Sequence, residues 1–507
     1  MKGSLFTAAA IAAIASNMVA AVPGTVHLDV TRKFSSSPKI IKRDTESTAA
    51  ITLHAADSLA YFAELHVGTP PQTVYVQVDT GSSDLWVNSV SNPYCATNTS
   101  DCTDFGTFDA NKSSTLTYGD DYMNATYVDG SNGGGPYVHD TVEVDGLSLT
   151  NATFGLAESG SRNFGILGVG YETVEAAHKK MYSNFPALMV EQGLVASRVY
   201  SLYINDTDSD TGSILFGGID RAKYEGDMVE VPFQLQGNMT VYTSFWVTLE
   251  SMKFSSGNKT VTVGNVNSNV VLDSGTSHAY LPSQIVDYLI NDLNLASYDE
   301  ENDVYMAPCS ARDRTDTLDF GFEGVTIRVP MRDLYLPSGD STAKYANGEE
   351  ICMFRVMSSE QSDGISLLGD AFLSSAYVVY DLDNNIAGMA QAKVNVAESD
   401  IVAVGSGEHA ILRAIGASAS NSTSSTSVTS TITSAPSATH TTLVRSVVQY
   451  NTAPYSSTSN HTAANTTSWT MSTPTASVMT GGAGSLSYNY ASLVSVAAAV
   501  LFSVLIM

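Results

Sequence analysis

Apolar positions in the body of this chain come in short runs, rich in β-branched and aromatic residues and bounded by Gly, Asn or Asp. Tyr75-Val76-Gln77-Val78 and Ala376-Tyr377-Val378-Val379-Tyr380 are typical. Such runs predict strands joined by turns. Helical periodicity is sparse, with residues 187–192 and 284–291 carrying the better cases. The body is therefore read as all-β.

The ends follow other patterns. Lys2 leads into an Ala/Ile-rich segment from Leu5 that closes on Ala20 and Ala21. This predicts a secretory signal over 1–21, too short and too soon interrupted for a membrane span. Residues 22–43 carry Arg32, Lys33 and Lys39 and end in Lys42-Arg43. They read as a propeptide with a dibasic processing site, its cations expected to pair with an acidic cleft. Residues 400–480 are read as a stalk, mostly Ser, Thr, Ala and Val from about Ala417. That composition cannot bury a core and suits O-glycosylation. Residues 491–507 are apolar and uncharged, and Gly481, Gly482, Ala483 and Gly484 stand upstream of a polar spacer. This predicts a glycolipid (GPI) attachment signal over 481–507, with Gly481 and Gly482 as candidate lipidation positions.

Composition narrows the picture. The 507 residues carry a net charge of −27, and only 15% of them are charged. Excess acid excludes a nucleic-acid partner, which needs a clustered positive field. It suits a protein kept soluble in acid. Ten N-x-[ST] sites, at Asn98, Asn111, Asn124, Asn151, Asn205, Asn238, Asn258, Asn421, Asn460 and Asn465, agree with a secreted chain. Four cysteines allow two staples and three connectivities. There is no H-E-x-x-H for zinc and no G-x-S-x-G elbow for a serine hydrolase. Neither metal nor cofactor is predicted.

The chemistry lies in a repeat. Val78-Asp79-Thr80-Gly81-Ser82-Ser83 recurs as Leu272-Asp273-Ser274-Gly275-Thr276-Ser277. The copies are followed by apolar runs, Leu85-Trp86-Val87 and Ala279-Tyr280-Leu281. Further on, each has an apolar pair and a glycine, Ile166-Leu167-Gly168 and Leu367-Leu368-Gly369. One such tetrapeptide would be an ordinary turn. Two with the same downstream partner mark an internal duplication.

On these residues the sequence resembles the pepsin-like aspartic proteases, and within them the fungal secreted and GPI-anchored enzymes (yapsins and candidapepsins). The likeness extends from Tyr61-Phe62 and Val67-Gly68-Thr69-Pro70-Pro71-Gln72 to Leu368-Gly369-Asp370-Ala371-Phe372-Leu373, Tyr380-Asp381, Asn385 and Gly388. It implies a bilobal fold of two related β-barrel-like lobes, at 44–236 and 237–399, with the active site between them. It implies a monomeric, cell-surface endopeptidase working in acid on polypeptide substrates, and touching the membrane through its GPI anchor alone.

The resemblance also assigns roles. Asp79 and Asp273 would form a carboxyl pair that shares one proton, a coupling for which aspartic proteases are the established case. Thr80 and Ser274 would brace the two loops, Ser82 and Thr276 would bond the outer carboxylate oxygens, and Gly81 and Gly275 would donate N–H groups. Tyr127-Val128-Asp129-Gly130-Ser131 matches the flap, although Val128 stands where the family has glycine. Tyr118-Gly119-Asp120-Asp121 is a rival that lacks a returning strand. Trp86 would bond Tyr127 or simply fill the core. Asp129 would face a substrate Lys or Arg, tilting an otherwise broad specificity, or would serve the turn. The pairs Cys95–Cys102 and Cys309–Cys352 have family counterparts. An inactive wall-anchored adhesin on the same fold is the rival function. It predicts loss of one acid, and both are present.

Overall fold

A computed structural model of the chain describes residues 22–34, 59–96 and 102–417, apart from 178, 207–208, 210, 265, 301 and 339–343. The signal segment, Lys42-Arg43, Asn98, Asn421, Asn460, Asn465, Gly481 and Gly482 lie outside the described residues.

The β-branched runs pair into a 14-stranded sheet and smaller sheets of five, four, four and two strands. The strand Gln72–Asp79 begins half-exposed and ends in four consecutive buried residues, so its C-terminal end delivers Asp79 into the interior. There it pairs in parallel with Gly165–Gly168, Asp79 lying opposite Gly168. The duplicated half repeats the arrangement: Ser268–Leu272 ends just before Asp273 and pairs in parallel with Leu367–Leu368. Each downstream Leu-Gly pair therefore passes behind one Asp-Thr/Ser-Gly turn. Chain crowding explains the glycines. A Cβ at Gly168 would come within 2.6 Å of the Ser83 and Asp84 backbone nitrogens, and one at Gly369 would strike the Thr276 carbonyl.

The fold is bilobal and mainly β. One continuous apolar core runs from Val74, Val76 and Val78 through Phe245 and Leu272 to Val378 and Tyr380. Both helical readings find an element. Phe185–Glu191 is capped by the Asn184 side chain, which accepts from the Ala187 N–H. Ser283–Asp287 runs on into a π-type turn over Tyr288–Asp292.

Three readings are corrected or sharpened. Residues 400–417 are not stalk. Ile401–Ala403 pairs with Gly218–Asp220, and Ala410 and Ile411 pack against Met228, Val379 and Ala390. The segment read as a propeptide contributes the strand Val26–Phe34 to the middle of the large sheet, between Thr211–Phe216 and Leu59–Val67. Its Lys33 does not reach the acidic centre: the ammonium lies 3.4 Å from the Tyr75 ring centroid and donates to the Asp104 carbonyl. The cysteines join as Cys95–Cys102 and Cys309–Cys352.

Candidate active site

The two turns that close the parallel strands meet face to face. The Thr80 N–H donates to Ser274 Oγ (3.2 Å), and Thr80 Oγ1 donates to the Leu272 carbonyl (3.0 Å). In return, the Ser274 N–H donates to Thr80 Oγ1 (2.9 Å), and Ser274 Oγ donates to the Val78 carbonyl (2.9 Å). All four bonds are buried. A two-fold set of this kind fixes the spacing of Asp79 and Asp273, because neither loop can shift without leaving buried polar groups unpaired.

Each carboxylate is held in the same way. The Gly81 N–H donates to Asp79 Oδ1 (2.8 Å), and Ser82 Oγ donates to Asp79 Oδ2 (2.5 Å). The Gly275 N–H donates to Asp273 Oδ1 (2.8 Å), and Thr276 Oγ1 donates to Asp273 Oδ2 (2.7 Å). A methyl group on Gly81 would stand 2.6 Å from Asp273 Oδ1, and one on Gly275 would strike Asp79 Oδ1. Only hydrogen fits at either place. Burial pushes the Asp273 carboxyl up to about 7, and the neighbouring Asp79 charge adds to the shift. Such a pair favours holding one proton between two acids.

A hairpin of Thr117–Thr126 and Asn132–Val144 carries Tyr127 to Ser131 at its tip. The tip is closed by Tyr127 N–H to the Ser131 carbonyl and Gly130 N–H to the Tyr127 carbonyl, both 2.9 Å, with Gly130 at φ 78°. The buried Trp86 indole donates to the Tyr127 hydroxyl at 2.7 Å, so both readings of Trp86 hold at once. Tyr118 lies back along the first strand, exposed, and is not the tip.

Asp129 serves the turn, one of the two roles expected of it, and adds an ion pair. Its carboxylate accepts from the Ser131 N–H and hydroxyl and pairs with Arg162 at 2.6 Å. Those bonds and the guanidinium hold its carboxyl below the usual range against the cost of burial. The charge expected to meet a substrate cation already has one from its own chain. Arg162 and Gln77, which also bond each other, went unnoticed in the sequence because neither belongs to the repeat.

A second acidic cluster backs the flap. Asp84 is buried and accepts from the Tyr137 and Tyr182 hydroxyls and the Ala176 N–H. Burial raises its carboxyl, and burial pushes the nearby Glu175 up to about 9. Asp84 directly follows Ser83, and that adjacency was its only signal. Among the glycosylation candidates, Asn111, Asn124, Asn151, Asn238 and Asn258 are exposed. Asn205 is corrected: it is buried, and its amide donates to Ser209 and Thr211, which leaves no room for a sugar.

Comparison with known proteins agrees with this geometry. Residues 60–392 match the family described as "Eukaryotic aspartyl protease". The chain is 36% identical over 399 residues to the probable aspartic-type endopeptidase opsB of Aspergillus fumigatus, covering 77% of this chain and 81% of that one. It is 34% identical to aspartic proteinase yapsin-3 of Saccharomyces cerevisiae, over 70% of each chain. Secreted aspartic protease 7 of Candida albicans is 34% identical, with 66% of this chain and 60% of that protein covered.

Proposed function

Because this chain belongs to the eukaryotic aspartyl protease family and is an aspartic-type endopeptidase of the fungal yapsin and opsB group, we propose that Asp79 and Asp273 are its catalytic pair. The supporting observation is their symmetric suspension: each acid is bonded by its own glycine N–H and hydroxyl, on loops braced by Thr80 and Ser274. At acid pH the pair holds one proton. The ionised member takes a proton from a water between the two acids, and the protonated member donates to the scissile carbonyl. Water then adds to the carbonyl carbon, and the proton taken up passes to the leaving nitrogen as the C–N bond breaks. One hydroxyl of the diol meanwhile returns its proton to the other acid, which leaves a carboxylic acid product and restores the pair. Tyr127, held by Trp86, closes over this centre.

The decisive experiment is inhibition of purified protein by a statine-type mimic of the tetrahedral intermediate, together with Asp79→Asn and Asp273→Asn. Each substitution removes the shared proton, so turnover should fall on the order of 10⁴-fold. Insensitivity to the inhibitor, or turnover surviving in either variant, would refute the pair, and absence of turnover in the unsubstituted protein would favour the adhesin reading.

The finer reading is a secreted enzyme, released from its propeptide at Lys42-Arg43, raised on a stalk and held to the membrane or wall by a GPI anchor. Deletion of residues 491–507 should release active enzyme into the medium; unchanged attachment would refute the anchor. Specificity is broad. A tilt toward Lys or Arg beside the cut would require Asp129 to exchange Arg162 for the substrate cation. A peptide-library digest enriched in basic residues, losing that enrichment in Asp129→Asn, would restore the role expected for Asp129.

A further inference from the structure

We propose that Arg162 is a positioning residue that latches the flap over the dyad, tying Asp129, Ser131 and Tyr127 to Gln77 and, through Gln77, to the loop of Asp273. The proposal rests on the catalytic reading above. The contacts converge on one planar group. Arg162 Nη2 meets Asp129 Oδ2 at 2.6 Å, Nε donates to Ser131 Oγ at 2.5 Å, and Nη1 donates to Gln77 Oε1 at 3.4 Å. The guanidinium carbon also lies 4.9 Å from the Tyr127 ring centroid and 5.3 Å from that of Phe164. Gln77 is buried, and its amide donates to the Gly275 carbonyl at 3.0 Å. Flap tip and second active loop are thus three bonds apart, through Arg162 and Gln77.

The latch is built on fixed ground. Asn88 donates to the Arg162 carbonyl at 3.2 Å, and Ser161 Oγ accepts from the Asn132 N–H at the base of the tip. The Arg162 side chain is only 15% exposed against 58% for Asp129, so the cation belongs to the body and the carboxylate to the moving part. A rigid fork can serve three partners in different directions, whereas an ammonium acts as a point charge. Admitting a polypeptide requires the tip to lift, which breaks the Asp129, Ser131 and Tyr127 contacts together. Once chain is bound, the same contacts re-form and hold Tyr127 down. Arg162 therefore sets how often the flap opens and how long it stays shut.

The test is hydrogen exchange of the Tyr127, Gly130 and Ser131 amides, with inhibitor release measured alongside. Arg162→Gln should raise exchange at these amides, and the rate of release of a statine-type inhibitor, about tenfold. KM should rise more than kcat falls. Arg162→Lys keeps the charge but loses the fork, so it should recover only part of the effect. If Arg162→Gln does not fold, Asp129→Asn combined with Ser131→Ala at the tip gives the same reading. Unchanged exchange and release in a variant that melts with the wild type would overturn the latch. Exchange reports on the flap whether or not the protein turns over substrate. A latch without turnover would refute the dyad alone, and turnover without a latch would refute this proposal alone.

Discussion

At the scale of single residues, the site depends on what is missing as much as on what is present. Gly81 and Gly275 face the opposite aspartates so closely that no side chain fits. Gly81→Ala or Gly275→Ala should therefore spread the dyad rather than unfold the lobe. The expected outcome is a loss of kcat on the order of 10²-fold with near-native melting, since misplacement by about an ångström at a reacting centre is that costly. Collapse of the melting transition instead would show that the glycines serve folding first. The raised Asp273 carboxyl sets the alkaline limit of activity. The shared proton is present below about 7 and lost above it, so kcat/KM should fall as pH rises through that value. A pH–rate profile flat from pH 5 to about 9 would contradict this. Single residues were the most legible part of the sequence, because Asp79 and Asp273 are duplicated with their neighbours. For Asp129 the turn role, one of the two open to it, is the one seen, and its ion pair was illegible because Arg162 is distant in sequence and carries no motif.

Among the elements, the two braced turns and the flap divide the work. The braces are rigid: Thr80 and Ser274 exchange four buried bonds, and their partners have no water to turn to. Thr80→Val should lose roughly 2–6 kcal/mol, from the Leu272 carbonyl and the Ser274 N–H left unpaired at about 1–3 kcal/mol each. Thermal or denaturant unfolding measures it; a change under about 0.5 kcal/mol would mean the loops are held by packing alone. The flap hairpin was located from its tyrosine and returning strand, and its tip falls at Tyr127 to Ser131. The pairing of strands across the molecule was far less legible. Short β-branched runs announce strands but not their partners, so the repeat marks Leu167-Gly168 without showing that it passes behind Asp79. Residues 400–417 were absorbed into the stalk because small polar residues surround two short apolar runs, and only docking onto Met228 and Val379 gives those runs a purpose.

For the whole molecule, acidity governs stability as well as chemistry. Burial raises Asp273 from 3.8 to about 7 and Glu175 from 4.5 to about 9. Burial also raises Asp84, Asp370 and Asp381. A carboxyl whose folded value is raised contributes stability that is complete below its ordinary value and lost as pH climbs through the raised one. Asp129 and Asp316 act in the opposite sense: hydrogen bonds and an arginine hold each carboxyl low against desolvation, so their contribution is present above the ordinary value and lost in acid. The melting temperature should therefore decline between about pH 5 and pH 9. Glu175→Gln should flatten the upper part of that decline. A melting temperature constant or rising over the range would count against the assignment.

The strand Val26–Phe34 has a consequence for maturation. It is hydrogen-bonded along both edges, with Val26, Leu28 and Val30 in the core. A cut after Arg43 would sever one covalent link and none of those bonds. The excised piece would remain as a non-covalent subunit, so cutting and letting go become separate events with separate rates. The first is enzymatic; the second is a dissociation, and it responds to dilution and to competition for the vacated edge. A freshly nicked protein should accordingly migrate as one species in native conditions and as two chains in denaturant. A labelled synthetic peptide of residues 26–34 should then exchange into the nicked protein at the rate of that dissociation.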